Sequence, residues 1–406
     1  MKISLFTPTH DTKYIQRLYQ TIRRQTYHDW EWVICPNNGA VVDIKDDPRV
    51  KIYPCSGSTN IGYLKKYACS KSKGDIVMEV DHDDELFPTA LEECAKAFED
   101  STVDFAYSNC CDVQENYEPR FFSEKFGWVN RPCLYEGKQL VEMVAFSPDP
   151  ASISKIWYAP NHFRAWRKSF YDRIGGHDET MDVLDDQDIM CRTYIEGKMF
   201  HIDKPLYVYH LHPQNTCYGE KNAKIQDLCV ELHDKYIYKL VEKWCDNNNL
   251  KKIDLCGGFD KPFGYESVDL SSADITADLN ERWPFEDGSV GVFRAHDALE
   301  HLKDPIHAMK EAYRCLAPNG WFLTQTPSTD GRGAFQDPTH VSFWNSNSFW
   351  YYTRAEQAKY IGTPVRFQLN RIKNFYPSDW HKFHQILYVK ADLLKFDGRV
   401  AGGVEI

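Results

Sequence analysis

No run of about eighteen consecutive apolar residues occurs in this 406-residue chain, so no helix is expected to span a membrane. Positive charge is in short supply, with 48 Lys and Arg against 59 Asp and Glu and a formal net charge of −11. No basic stripe is visible, and a general nucleic-acid binder needs one to displace counterions from phosphates. Paired CxxC spacing is missing as well. The thirteen cysteines are odd in number and scattered, with Cys110-Cys111 merely adjacent, which points to reduced thiols rather than a disulfide framework or zinc ribbon. The start, Met1-Lys2-Ile3-Ser4-Leu5-Phe6, lacks the apolar stretch and small-residue cleavage site of a secretion leader, so a cytoplasmic setting is expected. Internal repeats and low-complexity tracts are absent. What remains is an ordinary globular composition spread over more residues than one core usually supports, so two domains are expected.

Strand-like runs alternate with helical patterns from the beginning: Ile3 to Thr7, Tyr14 to Gln25, Trp30 to Cys35, Tyr63 to Ser70 and Ile76 to Val80. This alternation predicts an α/β fold with crossover connections and a largely parallel sheet. Ligands of such sheets bind beyond the carboxyl ends of the strands. Thr7-Pro8-Thr9, Pro36-Asn37-Asn38-Gly39 and Asp81-His82-Asp83-Asp84 all fall there. Between Glu220 and Trp244, apolar residues recur every three or four positions, at Ile225, Leu228, Leu232, Tyr236, Leu240 and Trp244, which predicts an amphipathic helix. Alternation then resumes through Lys252 to Leu255, Tyr265 to Leu270, Val290 to Arg294, a helix from Pro305 to Leu316, and Trp321 to Thr326. Two strand-like runs between Phe367 and Phe396 can close the sheet as an antiparallel hairpin. The expected organisation is one domain over 1–219, a linking helix over 220–249, a second domain over 250–396 and a tail over 397–406.

Asp81 and Asp83 are the most informative pair. Two carboxylates two residues apart at a strand's exit can hold a divalent cation, and that cation can grip the diphosphate of an activated sugar. Around them, Ile3 to Asp11, Gln25-Thr26-Tyr27, Val33 to Gly39, Asn60-Ile61-Gly62, Gly74-Asp75, Gly175-Gly176-His177-Asp178-Glu179 and Asp185-Asp186-Gln187-Asp188 follow in order. Over residues 1–216 this resembles the family 2 glycosyltransferases of GT-A fold. The resemblance implies that Thr7, Pro8, Thr9 and Asn38 hold the nucleoside, with Asn60 in the same site; Lys65 is a candidate cation for phosphate or acceptor, with a solvated surface position as the alternative. The resemblance favours UDP, but the second turn reads Pro36-Asn37-Asn38 where the family usually has aspartates; an amide both donates to and accepts from a base edge, so thymine or another base stays open. By the same resemblance Asp81 touches ribose or metal, Asp83 ligates Mn²⁺ or Mg²⁺, and His212 lies beside the phosphates, with His210 as the neighbouring alternative. An inverting transfer needs a base for the acceptor hydroxyl, and Asp186 matches that position, with Asp185 and Asp188 as alternatives. The plain reading of this acidic cluster is a solvated helix start, where carboxylates are favoured. Lys66, Arg164 and Arg167 are further cations for phosphate or acceptor.

In the second half, Ile253-Asp254-Leu255-Cys256-Gly257-Gly258 leads to Tyr265-Glu266-Ser267-Val268-Asp269-Leu270. A strand, a glycine turn and an acidic residue ending the next strand suit a nucleoside in a Rossmann-like fold. With Asp278-Leu279, Trp283 to Ser289, Ala298-Leu299-Glu300-His301-Leu302, Leu316 to Gly320 and Asp337-Pro338-Thr339-His340, residues 251–345 resemble class I methyltransferases that use S-adenosylmethionine. That resemblance implies Asp254, Gly257 and Gly258 at the methionine part, Asp269 at the ribose and Asp278 at the adenine, with His296 at the same site. Cys256 stands where a first glycine is expected and Gly291 where an aspartate is common. His296, Asp297, His301 and His340 are candidate bases for a sugar hydroxyl, each with a structural role as the alternative.

The function expected is therefore a metal-dependent glycosyltransferase acting on a glycan or glycoconjugate acceptor, joined to a domain that O-methylates the glycan. The arrangement is similar to multidomain glycan-assembly proteins of large algal viruses, where rhamnose is transferred and methylated. A non-catalytic second domain that binds the acceptor or acts as a scaffold is the alternative, and a pair of nucleotide-binding relics in a regulatory protein is the remote one.

Overall fold

The computed structural model describes residues 1–44, 47–213, 215 and 221–396. Thr216, Glu220 and the expected tail, 397–406, lie outside the described residues. The chain divides into two compact units, Met1–Leu240 and Val241–Ile406. The division falls inside the helix Lys221–Asn247. No described helix is long and apolar enough to cross a membrane.

The first unit carries strands β1 (Ile3–Thr9), β2 (Trp30–Pro36), β3 (Val50–Ile52), β4 (Ile76–Glu79), β5 (Glu85–Leu86), β6 (Phe105–Val113), β7 (Asn130–Tyr135), β8 (Lys138–Met143), β9 (Arg164–Arg167) and β10 (Met199–His210). Their order is β3-β2-β1-β4-β9-β6-β10-β5, with the β7–β8 hairpin joined to β6 through β8. The leading half is parallel, as the alternation predicts. Beyond β4 the sheet is mixed, because β9 runs antiparallel to both β4 and β6, and β5 to β10. Strands β1 and β2 are buried along their whole length, as strands covered on both faces must be. Trp32, fully buried between them, keeps its indole N–H satisfied by donating 2.9 Å to the Thr7 hydroxyl. The amphipathic face of Lys221–Asn247 belongs to this unit up to Leu240: Ile225, Leu232, Tyr236 and Leu240 close over Val183, Leu184, Cys191 and Tyr194.

The second unit carries β11 (Lys251–Leu255), β12 (Glu266–Asp269), β13 (Ile275–Thr276), β14 (Val290–His296), β15 (Leu316–Pro327), β16 (Gln368–Phe375) and β17 (Tyr388–Leu394). The order is β13-β12-β11-β14-β15-β17-β16. Strands β11 to β15 are parallel, while β17 lies antiparallel between β15 and β16. Strand order reverses between β11 and β14, the place where open sheets of this kind bind ligands. Gly291 takes the position where aspartate was expected for a steric reason: a Cβ there would sit 2.6 Å from the Cys245 sulfur.

Candidate active site

In the first unit the carboxyl ends of β1, β2 and β4 open on a cavity of about 770 Å³. Its floor is a buried ionic network. Glu79, the last residue of β4, and Asp185, the first of the helix Asp185–Glu196, share the Lys65 ammonium at 2.7 and 3.0 Å. His177 lies 3.4 Å from Glu79 and 3.6 Å from Asp185, and its Nδ1 is fixed by the Tyr171 hydroxyl at 2.7 Å. Burial works against the Glu79 charge, yet Lys65, His177 and Arg164 hold its carboxyl well below the usual range. Lys65 is raised in turn: burial lowers it, and Asp185 and Glu79 more than reverse this. This candidate cation for phosphate or acceptor is therefore committed to two carboxylates.

Leu184 sets the direction of the two aspartates that follow it. Its φ of +59° places a non-glycine residue in the left-handed region just before the helix, a conformation that needs support from its surroundings. Asp185 then turns inward to Lys65, where burial pushes its carboxyl up. Asp186 also lines the cavity and meets the Arg164 guanidinium at 3.2 Å. For Asp186 burial also opposes charge, but Arg164 and Lys65 bring its carboxyl below the ordinary value. Asp188 points away: it is buried among Arg192 (2.6 Å), Lys235 (3.1 Å) and the Tyr236 hydroxyl (2.6 Å), and so braces the helix. Arg167 donates to the carbonyls of Val103, Phe98 and Asp100, and Lys66 meets Glu179 at the surface, so neither faces the cavity.

The opposite wall is the acidic turn after β4. Asp81 Oδ2 lies 3.4 Å from His162 Nε2, and Asp83 Oδ2 lies 2.6 Å from His212 Nε2. Tyr14 stacks on the His212 ring with centroids 5.7 Å apart. Asp84 is wholly buried and accepts from the Tyr207 hydroxyl and the His210 amide, each at 2.8 Å. Burial first, then the charges of Asp83 and Asp81, push the Asp84 carboxyl well above its ordinary range. Such crowding of carboxylates invites a cation, and hard oxygen donors beside imidazole suit Mn²⁺ or Mg²⁺. Asp81, Asp84 and His162 offer donor atoms within 4.8 Å of one another, which adds two residues to the expected set of Asp81, Asp83 and His212. His210 is turned to Glu85 at 2.8 Å, so of these two histidines it is His212 that lines the cavity.

The nucleoside end is only partly as expected. Pro8, Asn38 and Asn60 line the cavity. Thr7 and Thr9 do not: the Thr7 hydroxyl donates to the Val80 carbonyl at 2.8 Å and Thr9 to that of Asp11 at 2.5 Å, so both hold the loops from within. Asn38 adopts φ +51°, which asparagine tolerates better than most residues, and the Thr9 carbonyl accepts from the Asn37 amide at 2.8 Å. The Asn60 side chain donates to the carbonyls of Glu179 and Thr180. Next to it a Cβ on Gly62 would lie 1.9 Å from the Asp178 carbonyl oxygen, so only glycine lets this helix start pack on the loop before Leu184.

In the second unit Cys256 (φ +54°) and Gly258 (φ +50°) turn the chain after β11. A Cβ on Gly257 would meet Asp254 Oδ2 at 2.3 Å. Asp269 ends β12 with its carboxylate 3.9 Å from where a Gly258 Cβ would sit, so a glycine turn and an acidic group stand together as a nucleoside requires. Asp254 gives its Oδ1 to Arg294 at 2.7 Å. Arg294 also lies 2.8 Å from His296 Nδ1. Burial, then Arg294, lowers His296 to about 3, which makes it a neutral ring and a poor proton acceptor. Asp278 is exposed and closes its own turn through the Asn280 amide at 2.9 Å.

Residues 4–173 match the model of the glycosyl transferase family 2 domain, and residues 239–324 match that of a methyltransferase domain. The chain joins a family 2 glycosyl transferase domain to a methyltransferase domain. The glycosyl transferase part is similar to a chondroitin synthase of Pasteurella multocida, 26% identical over 224 residues, which cover 53% of this chain and 21% of that protein. An O-antigen biosynthesis protein, RfbC, of Myxococcus xanthus is 24% identical over 219 residues, 50% of this chain and 15% of its own length. The chain thus spans about a fifth or less of these relatives. Among solved structures, S. aureus TarS in complex with UDP is 15% identical over 65% of this chain and 76% of that one, with a TM-score of 0.41.

Several working residues of the glycosyl transferase domain escape sequence reasoning. Glu79 carried a signal, a carboxylate inside the apolar run Ile76 to Val80. His162 and Tyr207 carried none, because their positions beside Asp81 and Asp84 depend on β9 and β10 entering the sheet far from their places in the chain.

Proposed function

We propose that the glycosyl transferase domain moves a sugar, with inversion, from a nucleotide-diphosphate donor to a glycan hydroxyl, and that the methyltransferase domain O-methylates that glycan with S-adenosylmethionine. The observation that carries the first part is the meeting, in one cavity, of the Asp81-to-Asp84 turn with His212 and of Asp186 on Arg164. Asp81, Asp83, Asp84, His162 and His212 are the groups to hold Mn²⁺ or Mg²⁺, and a cation there supplies positive charge to the departing diphosphate. Pro8, Asn38 and Asn60, which line the same cavity, are the groups to hold the nucleoside; UDP is favoured by likeness to the family, and the asparagines of the turn leave thymine or another base open. Asp186, kept ionised by Arg164, accepts the proton of the attacking hydroxyl. Its neighbour Asp185 is paired with Lys65 at 3.0 Å in the floor of the cavity.

Screening UDP- and dTDP-sugars, rhamnose donors among them, for Mn²⁺-dependent hydrolysis or thermal stabilisation tests this reading, with Asp83→Ala as control. A donor that stabilises the parent chain and not the variant is expected. No donor response in either would defeat the proposal. The Arg294–Asp254 pair favours a second reading, in which the methyltransferase domain binds the acceptor without catalysis; a calorimetric titration with S-adenosylmethionine that shows no heat selects it.

A further inference from the structure

The methyltransferase domain holds a second cluster of metal-ligating groups, apart from the glycine turn. Glu300 and His301 lie on the short turn Leu299–His301 after β14, and His340 comes from the segment after β15. The two pieces are stitched by backbone, since the Glu300 carbonyl accepts from the amides of Val341 (2.8 Å) and Ser342 (3.0 Å). Donor atoms of the three side chains lie within 4.8 Å of one another. Glu300 is 2% exposed. Its Oε2 accepts from the Thr326 hydroxyl at 2.7 Å, but its Oε1 is buried with no hydrogen-bond partner. A carboxylate oxygen left so is costly unless something positive meets it.

The two imidazoles are set up to meet that need. His340 Nδ1 lies 3.0 Å from the Ala334 carbonyl, and His301 Nδ1 lies 3.3 Å from the Thr339 carbonyl. A carbonyl only accepts, so each Nδ1 carries the proton and each Nε2 presents a lone pair. Backbone carbonyls that fix the tautomer in this way are the usual outer partners of metal-bound histidine.

We propose that Glu300, His301 and His340 bind a first-row divalent metal ion, Zn²⁺ by the nature of the donors. Two imidazole nitrogens and one carboxylate oxygen form the three-ligand set of zinc sites that keep a fourth position open. Zinc bonds of about 2.0–2.2 Å bring such donors to roughly 3.3 Å apart, a side-chain rotation away from their present spacing. The turn that carries Glu300 follows β14, and Thr326 is near the end of β15, so the ion lies beyond the carboxyl ends of two adjacent parallel strands. A hydroxyl oxygen of a saccharide is the class of ligand that fits the open position.

The full chain, stripped with chelator, is titrated with Co²⁺ and followed by visible absorption, with Zn²⁺ in competition. The Asp81→Ala/Asp83→Ala double variant serves as background, because Asp81 belongs to both ligand sets of the other cation site and its loss with Asp83 breaks each of them. One Co²⁺ per chain is expected to remain in that background, with affinity falling at least tenfold on adding His301→Ala or the isosteric Glu300→Gln, which retains an acceptor for Thr326. Thermal melts confirm that each variant is folded, and a misfolded one is replaced by His340→Gln. Unchanged Co²⁺ binding in folded variants, or none in the background chain, overturns the proposal.

Discussion

Asp185 and Asp186 are adjacent and do opposite work. Asp186 faces the cavity, so Asp186→Asn should lower kcat by about 10²–10⁴, the usual contribution of a positioned base, with donor affinity by calorimetry unchanged. Asp185→Ala leaves the Lys65 charge in the interior with one partner instead of two. Its expected cost, read by chemical denaturation, falls below the ~3–5 kcal/mol of a buried charge left without any partner, because Glu79 still holds Lys65. His296 supplies a pH signature. Its pKa is 6.5 in an ordinary setting and about 3 here, so the stability it contributes is complete above pH 6.5 and is lost as the pH falls towards 3. The slope is at most about 1.4 kcal/mol per pH unit. Melting temperatures of His296→Gln and parent should converge between pH 7 and pH 5; parallel curves would show that His296 does not set the slope. At this scale the acidic turn and the helix start were legible because carboxylates at strand and helix ends are local features. The burial of Thr7 and Thr9 was not, because a threonine that hydrogen-bonds inward reads the same as one that faces a ligand.

Among elements, the start of the helix Ile61–Ser70 is the tightest joint in the site. Gly62→Ala would drive a methyl group against the Asp178 backbone, and backbone cannot yield as a side-chain tip does. Overpacking of this kind typically costs about 1–3 kcal/mol, to be measured by denaturant midpoint. Because Asp178 leads into Leu184 and the two aspartates, the variant should also raise the donor KM. The parallel strands β1, β2 and β4 were readable from alternation alone. The β7–β8 hairpin was not, because it pairs with β6 at one position only, Cys110 with Met143, and its exposed edge dilutes the apolar pattern. Strand β9 was also hidden, since a four-residue strand leaves too little periodicity to register.

For the whole molecule, the two-domain reading was accessible from length and from the resumed alternation after residue 250. The exact division was not, because amphipathic spacing shows that a helix has a buried face and not which core receives it. A chain ending at residue 219 would lose Ile225, Leu232, Tyr236 and Leu240 from the first core. At about 1.5–3 kcal/mol each, their loss rivals the whole stability of a typical domain. Such a chain should give little soluble protein and no cooperative melt, whereas one ending at Asn247 should melt in a single transition; equal behaviour would show that the helix is dispensable. That helix also bears on how such a chain can be inherited. Its residues up to Leu240 complete one core, and Cys245, near its end, packs on Gly291 in the other. A genetic exchange that replaced either half by recombining within this segment would strip a turn from one partner, so the two modules are more easily passed on together than traded.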